Sequence, residues 1–134
     1  MAATIPEKFL DLLADDKKAF ANLATVLPSG SPQVTPIWFD YKQGKIRINT
    51  ARGRVKDKAM TANAKVALAI MDPANPYRYI QVRGKVTRIS EEGAATHIDS
   101  LAKKYMGVDR YPYHQDGVKR VIYEIEPDSA QAMG

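Results

Sequence analysis

The longest regular pattern in the chain runs from Tyr77 to Ser90, where apolar and polar residues alternate. Alternation with a period of two places the apolar residues on one face of a β-strand. Gly84 lies in the middle of the stretch. A glycine inside a strand indicates a bulge, a bend of a barrel, or the close approach of another backbone or a ligand. The stretch therefore favours a mainly β fold with a bend near Gly84.

Other strands precede and follow this one, and tight turns join several of them. The sequence predicts strands at 20–27, 33–41, 46–50, 65–71 and 119–126. The turn sequences 28–31 and 42–45 predict that consecutive strands run antiparallel. Residues 65–71 are continuously apolar, which predicts a central strand buried on both faces. Pro36 has no N–H to donate, so it marks an edge or a bulge in its strand.

Helices are predicted only where the strands are interrupted, at 6–16, 54–63 and 91–106. Asn63 is predicted to end the second in a left-handed conformation, and Gly107 to stop the third. The pattern predicts a six-stranded antiparallel β-barrel, because closure removes exposed strand edges. The length of 134 residues suits one domain, residues 1–134.

Composition excludes several classes of protein. No segment approaches the roughly 20 apolar residues that a membrane span needs. The N-terminal residues include acidic side chains and form no apolar core of a signal peptide, so we expect a cytoplasmic protein. The chain has no cysteine, and its two histidines, His97 and His114, lack metal-ligand spacing. Neither a disulfide nor a metal site is expected.

Four cations occupy every second position after the predicted strand 46–50. They are Arg52, Arg54, Lys56 and Lys58. A strand that ends in a glycine-containing turn and leads into a helix offers backbone N–H groups to an anion. Arginine and lysine add charge-assisted bonds to phosphate. The loop therefore resembles an anion site, and a solvated basic loop is the alternative. The net charge of +5 also leaves a barrel-type nucleic-acid binder open.

The sequence contains no recognisable catalytic apparatus. It has no GxSxG motif and no GxGxxG or Walker A pattern. His97 falls in a predicted helix and is interpreted as a surface or capping residue, whereas His114, in an aromatic loop, is a possible ligand contact. If the protein is an enzyme, a cofactor supplies the chemistry.

The order of these segments resembles the pyridoxamine 5′-phosphate oxidase-like split β-barrel superfamily, and within it the branch of F420-dependent enzymes. The likeness covers nearly the whole chain. It rests on the motifs Asn49-Thr50, the loop 52–58, the run 63–68, Asp72-Pro73, Tyr77-Arg78-Tyr79 and Val82-Arg83-Gly84. The resemblance implies a split-barrel homodimer that holds FMN or the deazaflavin F420 in clefts at the subunit interface.

The same resemblance implies which residues bind the cofactor. Arg54, Lys56 and Lys58 would hold its phosphate or anionic tail, and Asn49 and Thr50 the ribityl chain or the ring edge. Beside the ring would lie Thr35, Pro36, Ile37 and Trp38, and the partner chain would contribute Tyr77, Arg78 and Tyr79.

The resemblance implies hydride transfer between F420 and a small conjugated acceptor such as a quinone, an enone or a tetrapyrrole, without a dedicated catalytic side chain. The four alternate cations exceed what one phosphate needs, which favours F420, with FMN as the alternative. The chain ends soon after Glu126-Pro127, before the arginine-rich segment of pyridoxamine phosphate oxidases, so vitamin B6 oxidation is not expected. A non-catalytic module that binds a flavin or a haem-related ligand is the other hypothesis.

Overall fold

The computed structural model of the protein describes residues 3–134, so residues 1 and 2 of the predicted domain lie outside it. The strands are β1 (Ala21–Val26), β2 (Pro32–Ile37), β3 (Asp40–Lys42), β4 (Lys45–Ala51), β5 (Lys65–Asp72), β6 (Asn75–Ser90) and β7 (Arg120–Met133). The α-helices are α1 (Val55–Ala62) and α2 (Ala94–Met106), and two 3₁₀ helices span Glu7–Leu13 and Asp15–Lys17.

The strands form one sheet in the order β2-β1-β5-β6-β7-β4-β3. Every strand pairing in the described residues is antiparallel. The mainly β, antiparallel split barrel is thereby confirmed, but the predicted number of six strands is wrong, because the sheet has seven. The predicted strand 33–41 breaks into β2 and β3, which lie at opposite edges of the sheet.

Only Trp38 and Phe39 connect these two edge strands. Three Cα steps span at most about 11 Å, so the sheet curls until its two edges meet. Phe39 is fully buried inside the curl. Pro36 lies in β2 and therefore at a sheet edge, as its missing N–H predicted.

At Gly84 the backbones of β6 and β7 approach each other closely. The register between β6 and β7 shifts at Arg83/Gly84. A Cβ at Gly84 would lie 2.5 Å from the carbonyl oxygen of Glu126. Glycine is required because any side chain would collide with the neighbouring strand, which confirms the predicted bulge and close backbone approach.

The core lies inside the curled sheet, and its largest fully buried side chains include Tyr123, Phe39, Leu68 and Ile80. The prediction that residues 65–71 are buried on both faces is wrong for this chain. In β5, the buried positions Val66, Leu68 and Ile70 alternate with more exposed ones. The opposite face carries Ala67, Ala69 and Met71, and Met71 is 40% exposed. The continuous apolar run thus gives one core face and one apolar outer face.

The helices lie close to their predicted positions, but some differ from the prediction in type or in how they end. The predicted helix 6–16 is 3₁₀ instead of α, and its first bond runs from the N–H of Phe9 to the carbonyl of Pro6. Asn63 is extended at φ −143°, so the predicted left-handed end is wrong there. Gly107 ends α2 at φ 73°, as predicted. Among residues 3–134, no helix is both long and apolar enough to cross a membrane.

Candidate functional site

A cavity of about 310 Å³ lies where the β2–β3 connection, the end of β4, the start of α1, α2 and the α2–β7 loop meet. Its wall consists of Phe20, Pro36, Ile37, Trp38, Asn49, Thr50, Arg54, Lys56, Ile98, Leu101, Tyr111, Tyr113 and Arg120. Aromatic, aliphatic and cationic side chains thus converge on one opening, which is typical of a ligand pocket.

The structure brings together most of the site residues that the sequence predicted. Those in the wall are Pro36, Ile37, Trp38, Asn49, Thr50, Arg54 and Lys56. Thr35 is the neighbour of Pro36 on β2 but is absent from this wall, and Lys58 is exposed on α1.

The triplet Tyr77, Arg78 and Tyr79 lies elsewhere on this chain, at the start of β6. Tyr77 is 77% exposed. Arg78 is engaged by carboxylates, at 2.7 Å from Asp11 and 3.2 Å from Asp72. In this chain the triplet therefore does not contribute to the cavity.

Sequence reasoning missed one side of the cavity. The missed residues are Phe20, Ile98, Leu101, Tyr111, Tyr113 and Arg120. The aromatic loop around Tyr111 was visible in the sequence, but its position was not. Arg120 is the first residue of β7 and pairs with Ala51 at the end of β4, so only the strand register brings it to the site.

The aromatic wall is held in place by Tyr105 of α2. The rings of Trp38 and Tyr105 stack at 5.3 Å with an interplanar angle of 7°. The hydroxyl of Tyr105 donates to the carbonyl of Ala19 at 2.6 Å and accepts from the N–H of Phe39 at 3.2 Å. Burial raises the pKa of Tyr105, so this hydroxyl stays protonated. Trp38 is therefore fixed in the cavity wall, and the ring of Tyr111 lies nearly perpendicular to it, with the ring centres 6.1 Å apart.

The polar floor of the cavity is Asn49, whose amide uses both of its N–H donors and one acceptor position of its oxygen. Its Nδ2 donates to the carbonyl of Ala94 at 2.9 Å and to Nδ1 of His97 at 3.0 Å. Its Oδ1 accepts from Nε of Arg120 at 2.8 Å. These three partners fix which way the amide faces.

His97 lies behind Asn49, and the prediction that it is a surface or capping residue is wrong. Only 5% of His97 is exposed. Its Nδ1 accepts from Asn49, so its Nε2–H donates to Asp40, 3.1 Å away. Arg47 also binds the carboxylate of Asp40 at 2.7 Å and 2.8 Å. Sequence periodicity could not reveal this, since Asp40 is 57 residues away.

Asp40 is ionised at the base of this chain of hydrogen bonds. Burial by itself would raise its pKa, but the hydrogen bonds from His97 and Arg47 lower it to about 2. A chain of hydrogen bonds thus links the core to the cavity wall. It runs through Arg47, Asp40, His97, Asn49 and Arg120.

Three cations in the cavity wall lack a carboxylate partner among residues 3–134: Arg54, Lys56 and Arg120. Burial lowers the pKa of Lys56, and the charge of Arg54 lowers it further. Burial also lowers the pKa of Arg120, and Arg54 adds to that effect. Concentrated positive charge without counter-ions favours an anionic ligand.

The rest of the cationic loop has a structural role. Arg52 pairs with Glu91 at 2.9 Å and with Asp57 at 3.2 Å. Asp57 also accepts from the N–H of Gly53 at 2.8 Å and from the hydroxyl of Tyr123. The loop is therefore tied to the core at Asp57, which leaves Arg54 and Lys56 facing the cavity.

The sequence profile of the pyridoxamine 5′-phosphate oxidase family matches residues 5–134. The chain belongs to this family. No curated protein matches the chain.

Among solved structures, the family member is similar to an F420 reductase at 34% identity and a TM-score of 0.84, over 95% of this chain and 98% of that one. A conserved hypothetical protein of Mycobacterium tuberculosis matches at 20% identity and a TM-score of 0.73, over 98% and 86% of the two chains. HupZ of Group A Streptococcus matches at 19% identity and a TM-score of 0.69, over 96% and 94%. The last two likenesses concern the fold.

Proposed function

We propose that this protein is an F420-dependent oxidoreductase that transfers hydride between the deazaflavin and a small conjugated organic acceptor. The observation that carries the proposal is the cavity itself, whose wall holds Trp38 together with Arg54, Lys56 and Arg120, three cations that have no carboxylate partner in the part of the chain that the structure describes. The similarity to an F420 reductase at 34% identity supports it. Cytoplasmic location is part of the proposal.

The wall residues suit an anionic, planar cofactor. Arg54 and Lys56 would hold the phosphate, Asn49 and Thr50 would contact the ribityl chain or ring edge, and Trp38 would lie beside the ring. Reduction of the acceptor takes a hydride, which the reduced cofactor supplies, and a proton, which water supplies. The protein's own task is to hold the ring and leave one face open to the acceptor.

A second subunit is part of the proposal. The cavity of about 310 Å³ is at the lower end of ligand pockets, which hold about 300–1,000 Å³. The outer face of β1, β2 and β5 carries an apolar patch, with Val34 63% exposed beside Ala24, Ala67 and Ala69, and polar Asn22 and Gln81 at its border. Contact between two such faces would give a homodimer, in which Tyr77 and Tyr79 would be available to the partner's cofactor.

FMN is the second candidate, because the cavity wall holds fewer of the loop's cations than the sequence predicted. Two of the four alternate cations do not support F420. Arg52 is paired with a carboxylate, and Lys58 lies outside the cavity. Arg54 and Lys56 alone suit the single phosphate of FMN. Arg120 restores one cation to the site, so the charge count does not separate the two cofactors.

Titration with each cofactor tests the proposal. The chain has one tryptophan, Trp38, so its fluorescence reports on the cavity. We expect F420 to quench it with saturation and reduced F420 to be oxidised when quinones and enones are added. Tight binding of FMN without binding of F420 would replace the first candidate by the second. Binding of F420 without turnover of any acceptor would support a non-catalytic binding module instead.

A further inference from the structure

A second, more enclosed cavity of about 240 Å³ adjoins the first. The two share Ile98, Tyr111 and Arg120 in their walls. The remaining wall of the small cavity is formed by Ala95, Asp99, Arg110 and His114, from α2 and the loop that follows it. None of the cations of the loop 52–58 lies in this wall, so the small cavity is a separate compartment beside the candidate cofactor site.

The small cavity carries an excess of positive charge. Arg110 and Arg120 face a single carboxylate, Asp99, and His114 adds a further N–H donor. One oxygen of Asp99 is occupied by the N–H of Tyr111 at 2.8 Å. Neither arginine forms an ion pair with any carboxylate in residues 3–134. An anion in this cavity would therefore meet two guanidinium groups that form no ion pair with the carboxylates of residues 3–134.

Arg120 is held ready for such an anion. Its Nε donates to Oδ1 of Asn49, and its guanidinium lies 5.3 Å from the ring centre of Tyr111. The terminal nitrogens make no hydrogen bond with residues 3–134. A guanidinium with both terminal groups free matches the two oxygens of a carboxylate, and a fixed side chain loses little entropy on binding.

Resting on the proposed function, we propose that Arg120, Arg110 and His114 form a subsite for a carboxylate of the acceptor. The acceptors of this enzyme are then acidic conjugated compounds. The cofactor's phosphate has its own cations, Arg54 and Lys56, which line only the larger cavity. The shared wall at Arg120 places a bound carboxylate next to the compartment assigned to the cofactor ring.

A matched pair of probes tests the subsite: 4-(3-oxobut-1-enyl)benzoate and its methyl ester, which share the enone but differ in charge. Arg120 lines both cavities, so the decisive variants are Arg110→Gln and His114→Gln, which change only the small one. Lys119→Gln is the control, because Lys119 is an exposed cation beside Arg120 that lines neither cavity.

Binding is followed by Trp38 fluorescence with and without F420, and turnover by oxidation of reduced F420. The wild type should prefer the acid to the ester by about 10- to 100-fold. Arg110→Gln should remove most of that preference, His114→Gln a smaller part, and Lys119→Gln none. The affinity for F420 should change less than about twofold in all three variants. The kcat/KM for the ester should fall less than that for the acid in Arg110→Gln and His114→Gln, and both should stay unchanged in Lys119→Gln.

Equal binding of acid and ester by the wild type would overturn the subsite, as would an equal loss of both in Arg110→Gln. A loss of F420 affinity in Arg110→Gln would assign the anion site to the cofactor and also overturn it. Failure of the proposed function has a different signature, in which F420 neither binds nor turns over while the acid still quenches Trp38 more strongly than the ester.

Discussion

Oδ1 of Asn49 accepts a 2.8 Å hydrogen bond from Nε of Arg120, and thereby joins the end of β4 to the start of β7 at the cavity wall. The other end of the same amide donates to His97 and Ala94. One side chain of β4 therefore satisfies groups on β7 and on α2. Its removal is expected to affect both stability and the shape of the cavity.

Replacing Asn49 by leucine keeps the volume but leaves Nε of Arg120 and Nδ1 of His97 without partners and removes one hydrogen bond to the carbonyl of Ala94. Unpaired buried groups cost about 1–3 kcal/mol each when water cannot replace the partner, so we expect a total loss of about 2–4 kcal/mol in urea unfolding. Asn63→Leu is the control, because Asn63 makes one exposed hydrogen bond to the N–H of Lys65. Similar losses in the two variants would contradict the role of the network.

The pH dependence of stability should report on Asp40. Its folded pKa of about 2 lies below the ordinary value of 3.8. A lowered carboxyl pKa stabilises the fold above the unfolded pKa, and the stabilisation is lost as the pH falls through the folded pKa. The shift corresponds to about 2 kcal/mol, present above about pH 4 and lost towards pH 2.

Comparison with Asp40→Asn isolates this contribution, since all other titrating groups are shared. The variant should be less stable at pH 6 by about 3–5 kcal/mol, because it removes the negative charge that pairs with Arg47. The difference in the free energy of unfolding between the wild type and Asp40→Asn should decrease by about 2 kcal/mol as the pH falls from 4 to 2. A difference that does not depend on pH in this range would show that the carboxylate of Asp40 is not stabilised as described.

Lys56→Ala should weaken cofactor binding by about 1.5–3 kcal/mol if Lys56 makes a charge-assisted bond to the phosphate. Folding should be little affected, because Lys56 makes no ion pair among the described residues. Lys58→Ala provides a matched control on the same helix, since Lys58 is exposed and lies outside the cavity wall. Titration with F420 and with FMN measures both variants. Unchanged affinity in Lys56→Ala would place the phosphate elsewhere.

Gly84→Ala should destabilise the protein by a steric route alone. The added Cβ would lie 2.5 Å from the carbonyl oxygen of Glu126, which belongs to the backbone of β7 and has no rotamer to change. Forced repacking of this kind costs about 1–3 kcal/mol. Thr87→Ala, at an exposed position of the same strand, is the control. Equal urea midpoints for wild type and Gly84→Ala would show that β6 and β7 separate there without cost.

The sequence was sufficient for the parts of the fold that depend on local pattern. The alternation in β6, the turn residues before β2 and β4 and the left-handed Gly107 predicted elements that the structure contains. The separation of β2 from β3 was missed, because Pro36 through Tyr41 is continuously rich in apolar and aromatic residues. The chain passes from one edge of the sheet to the other at Trp38 and Phe39, and this crossing depends on the closure of the curled sheet, which the local sequence does not show.

The sequence placed together those residues of the candidate cavity that are adjacent in the chain. Asn49, Thr50, Arg54 and Lys56 are close in sequence and line one cavity. Arg120 enters the same wall through the register of β4 and β7, 71 residues from Asn49. Such long-range pairing leaves no signal in a single sequence, and the buried contact of His97 with Asp40 was hidden for the same reason.

The final prediction concerns the apolar outer face of the sheet. Val34 is 63% exposed on β2 and lines a shallow cavity of about 320 Å³ with Ala24, Ala67 and Ala69. If two copies associate through this face, the wild type sediments as a dimer. Val34→Asp should then shift the protein to monomers, because an isologous interface would contain the unpaired charge twice.

Val55→Asp is the matched control for this variant. Val55 is 52% exposed on α1, away from the outer face, and carries the same substitution. Sedimentation equilibrium should show a dimer dissociation constant raised by more than about 100-fold for Val34→Asp, since several kcal/mol are lost, and little change for Val55→Asp. Cofactor affinity should fall together with dimerisation, because the proposed cleft needs the partner's residues. A monomeric wild type, or equal dissociation of the two variants, would exclude this face as the subunit interface.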